Sequence, residues 1–411
     1  MLTVGQTLNL TISDLAFGSD GVARTEEGTV VFVPFAAVGD RLRLEIAQTH
    51  ARYARGVIRA ILEAGPGRVT PVCPHFGRCG GCRYQHLSYE TEFAAKCDQL
   101  RAVLQRLGGQ GEVPELTVQI PSPADYGYRN KIRVENFGEK FETPKGNVVL
   151  YGYCELDNHT YFELDACPLA HPALNELLPK APRTAWGQRN ANRAEPRPMT
   201  LRITDSGETK FYFGHAPQNI PWLVEHLLGR EVRMPLDGFW QVNPGAATAL
   251  VNTARDWFAA SPTRWLVDAY AGVGTFALAL GEFAERLVLI ESEAAAIKAA
   301  EHNLMQWGLN GKVVHGRTEK YLYTSLENAP SKNTTLLLDP PRTGCGASTL
   351  KAILRHQPQQ ILYISCNAST LARDLKVLCE GGTYRIEKVG LVDLFPRTAH
   401  FESIIHLVLD K

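Results

Sequence analysis

Residues 1–62 alternate apolar and polar positions in short runs, which glycine-containing segments separate. Three such runs are Leu8–Ile12, Thr29–Val33 and Arg41–Ile46. A period of two is typical of strands with one buried face, and segments such as GSDG and VGD are typical of tight turns. The pattern therefore predicts a small antiparallel β-barrel at the N-terminal end.

Residues 63–236 change pattern several times. Positions 88–108 repeat apolar residues at helical spacing and predict one amphipathic helix. Strand-like runs follow (KIRVENF, VVLYGYCEL, TLRITD and KFYFG), mixed with polar segments. The stretch Pro179–Pro198 carries five Lys or Arg against one Glu and is interpreted as a solvated connector. This part of the chain predicts an α+β central domain.

From residue 237 to residue 411 strand-like and helix-like segments alternate. The strand-like runs are RWLVDAY, RLVLIES, KVVHG, TTLLLDPP and QILYISC. This alternation predicts an α/β domain with a doubly wound parallel sheet. The last runs, YRIEKVGLVDLF and FESIIHLVL, are joined by a short loop, so the second of them is expected to run antiparallel to the first.

Composition limits the class of protein. With 411 residues, 45% of them hydrophobic and 21% charged, the chain is typical of a globular protein of two or three domains. The formal net charge is zero, so local basic patches would have to hold any nucleic acid. No apolar run is long enough to span a bilayer, and the N-terminal residues do not resemble a signal peptide. We therefore expect a cytoplasmic protein.

A glycine pair stands directly between a predicted strand and a predicted helix, in DAYAGVGTFALAL. Gly272 and Gly274 there allow the backbone to approach a nucleotide at the start of the helix. With Ala277 they match a dinucleotide-binding pattern, and Glu291 lies far enough along to bind ribose hydroxyls. Asp268, however, suits an amine-bearing ligand better than a pyrophosphate. The segment therefore favours S-adenosylmethionine (SAM) over NAD.

A thiol and two carboxylates are predicted at the same edge of this sheet. Asp339 ends one parallel strand and Cys366 ends the next. Glu402 begins the last, antiparallel strand, and His400 precedes it by two residues. Because that strand runs in the opposite direction, its start returns to the edge where the parallel strands end. Cys366 and Glu402 are therefore expected to lie close together.

A thiol, a base and a methyl donor together suit methylation of a pyrimidine at C5. A thiolate that adds to C6 makes C5 nucleophilic, and a base must then remove the C5 proton so that the thiol can leave. Uracil and cytosine both allow this chemistry. Enzymes that methylate exocyclic amines usually follow Asp-Pro-Pro with an aromatic residue, whereas here Arg342 follows. The residues therefore favour carbon over nitrogen as the methyl acceptor.

Five segments in order, GFWQVNPG, DAYAGVGTF, LLLDPPRTG, YISCNASTLARDL and DLFPRTAHFES, resemble the RNA uracil-5-methyltransferase family. The segment GVAR…VVFVPFAAVGD resembles its TRAM domain, an RNA-binding barrel. The segment CPHFGRCGGCRYQHLSYE resembles the iron–sulfur segment of the branch that acts mainly on large-subunit ribosomal RNA. The resemblance implies a class I, Rossmann-like SAM methyltransferase domain after a TRAM/OB-like barrel and an α+β domain that carries an iron–sulfur cluster.

The resemblance also implies roles for individual residues. Cys366 would be the nucleophile, Glu402 the base, and Phe239 a contact of the flipped target base. The residues that would line the SAM site are Gln241, Tyr270, Gly272, Gly274, Glu291, Thr318 and Asp339. Thr318 departs from the family pattern, which more often has Asp or Asn at this position.

Three cysteines, Cys73, Cys79 and Cys82, form the pattern C-x5-C-x2-C. Three thiolates need a fourth ligand for zinc or for a four-iron cluster, and the spacing leaves both metals open. The candidates for the fourth ligand are Cys97, Cys154 and Cys167. The resemblance implies a 4Fe–4S cluster with Cys167 as its fourth ligand.

The residues and the resemblance together favour one function and leave three alternatives. We expect SAM-dependent methylation of C5 of a uridine in 23S rRNA through a covalent Cys366–C6 adduct. The alternatives are methylation of the transfer RNA T-loop, methylation of cytosine C5 in RNA, and a non-catalytic RNA-binding factor, which would need neither Cys366 nor Glu402. We expect RNA to be the partner. We expect the protein to be a monomer, with no membrane association and no obligate protein partner.

Overall fold

The N-terminal strands form one six-stranded sheet in the computed structural model, which describes residues 2–107, 114–144, 146–217 and 222–410. Its strands are β1 (Thr7–Thr11), β2 (Asp14–Leu15), β3 (Gly21–Arg24), β4 (Val30–Val33), β5 (Arg41–Thr49) and β6 (Tyr53–Glu63). They lie in the order β1-β5-β6-β4-β3-β2 and are called the N-terminal barrel below. The prediction of antiparallel strands is wrong for one pair, because β4 and β6 are parallel. Alternate residues such as Leu42, Leu44 and Ile46 are buried, as the period of two predicts.

The central part of the chain is built around a five-stranded sheet. Its elements are α1 (Tyr89–Leu107), β7 (Leu116–Ile120), β8 (Lys131–Thr143), β9 (Gly146–Cys154), β10 (Tyr161–Glu163), α2 (Pro172–Leu177), α3 (Ala185–Ala191), β11 (Met199–Ile203), β12 (Thr209–Phe213), β13 (Leu223–Leu227) and β14 (Arg230–Met234). The sheet order is β10-β9-β8-β11-β12, while β13 and β14 form a separate hairpin. Helix α1 matches the predicted helix, except that Gly108 lies outside the described residues.

The stretch Pro179–Pro198 is not the solvated connector that its charge predicts. It contains α3, and Trp186 of that helix packs against Phe211 and Phe213, with ring centroids 5.5 Å apart in both pairs. The side chain of Trp186 therefore packs the segment against the five-stranded sheet, although the neighbouring residues are charged. The local excess of charge therefore conceals a packed helix.

The C-terminal part is an α/β domain, as predicted. Its elements are α4 (Pro244–Ala260), β15 (Trp265–Asp268), α5 (Thr275–Leu280), β16 (Arg286–Glu291), α6 (Ala294–Trp307), β17 (Gly311–His315), α7 (Thr318–Glu327), β18 (Thr334–Leu338), α8 (Ala347–His356), β19 (Gln360–Ser365), α9 (Ala368–Cys379), β20 (Tyr384–Val392) and β21 (Glu402–Leu409). The strands β15 to β19 pair in parallel, and β21 is antiparallel to β19 and β20.

The large sheet takes one strand from outside residues 237–411. Its order is β17-β16-β15-β18-β19-β21-β20-β7, and β7 pairs in parallel with the edge strand β20. Strands β18 and β19 are buried at every position, and apolar residues pack on both faces of the sheet. Among the described residues, no helix is long and apolar enough to cross a membrane.

A buried ionic network joins α1 to the segment before β21. The ammonium of Lys96 is fully buried and donates to Glu92 at 2.7 Å, to Asp393 at 2.9 Å and to the carbonyl of Phe395 at 3.2 Å. The backbone N–H of Arg397 also donates to Glu92, at 2.7 Å. Buried charges need partners of this kind. The network therefore holds the segment 393–401, which leads directly into Glu402, against α1.

Replacing Lys96 with methionine is expected to lower the free energy of unfolding by about 3–5 kcal/mol, because Asp393 would lose its buried cation and Glu92 would keep only Arg397, 3.4 Å away. Denaturant-induced unfolding followed by circular dichroism measures this change. Lys351→Met, which alters an exposed lysine of α8, is the matched control and should stay within about 0.5 kcal/mol of wild type. Equal stability of the two variants would contradict the prediction.

Candidate active site

The predicted thiol and carboxylates converge at the carboxyl edge of the parallel strands. Asp268 ends β15, Asp339 follows β18, and Cys366 follows β19. Strand β21 pairs antiparallel with β19 so that Ser403 lies opposite Ser365. Glu402 therefore lies beside Cys366, as topology predicts.

Cys366 opens into a cavity of about 230 Å³. Three segments of the α/β domain form its walls: Arg342, the start of α9 at 366–368, and residues 399–401 before β21. The fourth wall comes from the N-terminal barrel, through Phe17 and Gly18. Pockets for drug-sized ligands measure roughly 300–1,000 Å³. The cavity is therefore of a size that suits a single base.

The electrostatics of the cavity oppose ionisation of the thiol. Burial, and then the negative charge of Glu402, raises the pKa of Cys366 to about 11, while the Arg342 guanidinium acts in the opposite direction. Burial, and then the charge of Asp339, raises the pKa of Glu402 well above its usual value, and Arg342 again lowers it. One oxygen of Glu402, Oε2, has no hydrogen-bond partner among the described residues. Glu402 is thus a buried group with an acceptor atom free for a substrate.

Arg342 is a functional candidate that sequence reasoning missed. In the sequence, the DPPR segment only argues against methylation of an amine. In the structure, the Arg342 guanidinium favours the ionised forms of both Cys366 and Glu402. The sequence does carry a signal for this role, because Arg342 lies three residues after Asp339, which itself follows a buried strand. His400 also lines the cavity, and burial together with Arg342 lowers its pKa to about 4. That imidazole is therefore neutral near pH 7.

The glycine segment after β15 adopts a backbone conformation that favours glycine and lies against Glu291. Gly272 and Gly274 have φ values of 56° and 93°, which favour glycine. The N–H of Gly272 donates to Glu291 at 2.8 Å, and the other oxygen of Glu291 accepts from the N–H groups of Ser292 and Glu293. Glu291 is therefore fixed at the end of β16, beside the glycine segment.

Asp268 is buried at the start of the same segment. No hydrogen bond of ordinary geometry reaches either carboxylate oxygen among the described residues, although the nearby backbone N–H groups of Ala277 and Tyr270 act to lower its pKa. Burial, and then the charge of Asp339, raises the pKa of Asp268 to about 7. Asp339 therefore lies close to both Asp268 and Glu402, and it connects the glycine segment with the cavity of Cys366. Two unpartnered buried oxygens suit the amino group of SAM.

Phe239 and Gln241 lie on the loop between β14 and α4. Phe239 is 69% exposed, whereas Gln241 is buried. The central sheet holds this loop, because Arg202 donates to the carbonyl of Gly238 at 3.0 Å and Asn130 donates to that of Gln241 at 3.0 Å. The loop therefore presents an exposed ring from a fixed backbone.

Two further predicted cofactor residues have intramolecular neighbours. The hydroxyl of Thr318 donates to the carbonyl of Ala269 at the end of β15. The buried hydroxyl of Tyr270 lies beside Thr349 and Cys345, and burial raises its pKa. Both residues lie at the predicted edge, but these hydroxyls are directed into the domain. Their roles as cofactor contacts stay predictions.

Four of the six candidate cysteines line one small cavity of about 20 Å³. These four are Cys73, Cys79, Cys82 and Cys167, whereas Cys97 is buried in α1 and Cys154 lies on β9 outside the cavity lining. Burial raises the pKa of Cys82 to about 12 and also raises those of Cys73 and Cys79. In the described part of the chain, no three His, Cys, Asp or Glu side chains are arranged to hold one metal ion.

Comparisons with known proteins identify the family of the chain. Residues 229–410 match the tRNA (uracil-5-)-methyltransferase family, and residues 2–58 match the TRAM domain. An uncharacterized RNA methyltransferase of Thermosynechococcus vestitus is 31% identical, over 97% of this chain and 97% of its own. The 23S rRNA (uracil(1939)-C(5))-methyltransferase RlmD of Yersinia enterocolitica is 30% identical, over 98% of this chain and 95% of its own.

A solved structure has the same fold over the whole length. It is that of a Pyrococcus abyssi tRNA (uracil-54, C5)-methyltransferase in complex with S-adenosyl-L-homocysteine, with a TM-score of 0.72, 23% identity, and coverage of 98% of this chain and all of that one. At this identity the likeness supports the fold alone. The full-length relatives and the matched domains together show that this chain belongs to the RNA uracil-5-methyltransferase family and is an enzyme of that family, with a TRAM domain at its N-terminal end.

Proposed function

We propose that the protein transfers a methyl group from SAM to C5 of one uridine in 23S rRNA, with Cys366 as nucleophile and Glu402 as general base. The observation that carries this proposal is that Cys366 lines a cavity of the size of one base, while the carboxylate of Glu402 lies buried beside that thiol. Full-length relatives from Yersinia enterocolitica and Edwardsiella ictaluri named as 23S rRNA methyltransferases support this RNA. Bacterial ribosomes are made in the cytoplasm, which we propose as the compartment.

The proposed chemistry needs a thiolate at its start and a carboxylate base at its end. The Cys366 thiolate adds to C6 of the uracil, which forms a C6–S bond and makes C5 nucleophilic. Bound SAM supplies the electrophilic methyl group on its sulfonium sulfur. Glu402 then removes the C5 proton, the C5=C6 double bond returns, and the C6–S bond breaks to release Cys366. Arg342 favours the thiolate that starts this sequence and the carboxylate that ends it.

We also propose which residues hold SAM and the target base. The fixed carboxylate of Glu291 suits ribose hydroxyls, and Asp268 suits the amino group. The proposed SAM contacts are Gln241, Tyr270, Gly272, Gly274, Glu291, Thr318 and Asp339. The exposed ring of Phe239 is proposed to contact the flipped uracil, since an aromatic face stacks on an unstacked base.

The proposed division of the chain is a barrel over 1–62, a central RNA-binding domain over 63–236 and a catalytic domain over 237–411. Strand β7 contributes to the catalytic sheet from the central range, which ties these two parts together.

We propose a 4Fe–4S cluster on Cys73, Cys79, Cys82 and Cys167. The donor set fits, because four thiols surround one small cavity. Zinc needs all four sulfurs about 2.3 Å from one ion. The spacing of the cysteines leaves zinc open as well, and the resemblance to the iron–sulfur segment is what favours the cluster. Methyl transfer has no redox step, so the proposed role is structural or RNA-positioning.

The anaerobically purified protein is expected to be brown, with broad absorption at about 400 nm and about four iron atoms per chain. Cys167→Ser should lose colour and iron, because the cluster would lose a thiolate. The matched control, Cys154→Ser, should keep both, since Cys154 does not line the cavity. Iron and acid-labile sulfide assays measure the outcome. A colourless protein with stoichiometric zinc would refute the cluster.

Nucleoside analysis tests the proposed function. The protein is incubated with methyl-labelled SAM and with unmodified 23S rRNA or transfer RNA, and the digested RNA is separated. Label in 5-methyluridine from 23S rRNA is the expected result. Label in transfer RNA would favour the T-loop alternative, 5-methylcytidine would favour the cytosine alternative, and no label in any RNA would favour a non-catalytic binder.

A further inference from the structure

The β2–β3 turn of the N-terminal barrel reaches the cavity of Cys366. Phe17 and Gly18 of this turn line the cavity together with Cys366 and His400. The Phe17 ring meets the ring of Phe401 edge to face, with centroids 6.3 Å apart at 88°. Phe401 directly precedes Glu402. The barrel therefore touches the segment that carries the proposed base.

The turn is held in place from both sides. Within it, the N–H of Ala16 donates to the backbone carbonyl of Asp20 at 2.8 Å, and the N–H of Ser19 donates to the backbone carbonyl of Ala16 at 3.0 Å. From outside, the buried amide of Gln99 on α1 donates to the carbonyl of Ala16 at 3.0 Å. Yet Phe17 itself is 44% exposed. A large apolar ring is thus held partly in solvent by a fixed backbone.

Phe17 also lines a second, larger space. A groove of about 710 Å³ lies between the barrel, α1 and the start of α9, and it includes Phe17, Phe32, Tyr53 and Ser369. The rings of Phe32 and Tyr53 meet edge to face 5.5 Å apart. The groove carries charges of both signs, and Arg55 is paired with Asp20 at 3.0 Å. Aromatic rings rather than net charge therefore distinguish it. Phe17 stands between this groove and the cavity.

We propose that Phe17 is a substrate-binding residue, whose ring stacks between the target uridine in the cavity and the neighbouring nucleotide in the groove. A uridine that enters the cavity loses the stacking of its neighbours, and exposed aromatic rings replace such stacking in RNA-binding proteins. The barrel then takes part in the active site and not only in general RNA binding. This inference rests on the proposed function, since it places the target base against Cys366.

Phe17→Ala is expected to weaken the apparent affinity for 23S rRNA in single-turnover methylation by roughly 5- to 150-fold. This is the usual effect when one base loses the aromatic ring on which it stacks. SAM binding should not change, because Phe17 is not among the proposed SAM contacts. Phe17→Tyr should keep near wild-type affinity, since it preserves the ring. The matched control Met305→Ala removes a large apolar side chain that is 73% exposed on α6, outside the proposed RNA-binding domains, and should leave affinity unchanged.

Cross-linking tests the contact directly. Full-length protein with p-benzoylphenylalanine at position 17 should cross-link to the target uridine or to a nucleotide adjacent to it, and the same probe at position 305 should not. Wild-type RNA affinity of Phe17→Ala, or a cross-link elsewhere in the RNA, would overturn the proposal. Failure of the wild-type protein to form 5-methyluridine would instead overturn the proposed function, so the two failures are distinguishable.

Discussion

Replacing Cys366 with alanine is expected to abolish formation of 5-methyluridine and to leave SAM binding nearly unchanged. The thiol acts on C6 of the base, and without it C5 stays too weak a nucleophile to accept a methyl group. Removal of a covalent nucleophile costs on the order of 10⁶-fold in a well-studied hydrolase. The SAM contacts proposed for the glycine segment do not include Cys366.

Transfer of label from methyl-labelled SAM to 23S rRNA measures the turnover of this variant, and calorimetry measures its affinity for SAM. Cys379→Ala, which removes a buried cysteine at the end of α9, is the matched control and should retain activity. Near wild-type turnover of Cys366→Ala would refute the covalent mechanism. Equal loss of SAM binding would place Cys366 in the cofactor site instead.

Replacing Glu402 with glutamine is expected to stop the reaction after methyl transfer. At that stage the C6–S bond to Cys366 holds the methylated uridine, and the bond can break only when the C5 proton leaves. Glutamine keeps the size of the side chain but cannot accept this proton. Release of methylated RNA should fall by roughly 10²- to 10⁴-fold, the usual contribution of a general base. Enzyme and RNA would then remain covalently joined.

The trapped species is measured as a protein–RNA complex that resists denaturation and contains label from methyl-labelled SAM. The double variant Glu402→Gln/Cys366→Ala should form none, because it lacks the joining sulfur. Glu301→Gln, at an exposed position of α6, is the matched control and should turn over normally. Near wild-type release from Glu402→Gln would assign proton removal to another group. His400 is the first candidate, since it lines the same cavity and is neutral near pH 7.

Local patterns in the sequence determined the fold class and most of the proposed chemistry. The period of two in residues 1–62 and the strand–helix alternation after residue 237 describe burial over a few neighbouring positions, and such patterns can be read without knowing the fold. Because parallel strands of a doubly wound sheet share one carboxyl edge, the ends of β18 and β19 also placed Asp339 near Cys366. The antiparallel return of β21 added Glu402.

Contacts between distant parts of the chain were decided only by the tertiary structure. The pairing of β7 with β20, the enclosure of Lys96 by Glu92 and Asp393, and the position of Phe17 beside Cys366 join residues far apart in sequence. No local period encodes such contacts, because they depend on how separately folded sheets pack together. The same reason explains why Pro179–Pro198 was wrongly predicted as a solvated connector. Its composition shows the charge, but not that Trp186 packs against the sheet. Local burial could be read from the sequence, but the packing partners could not.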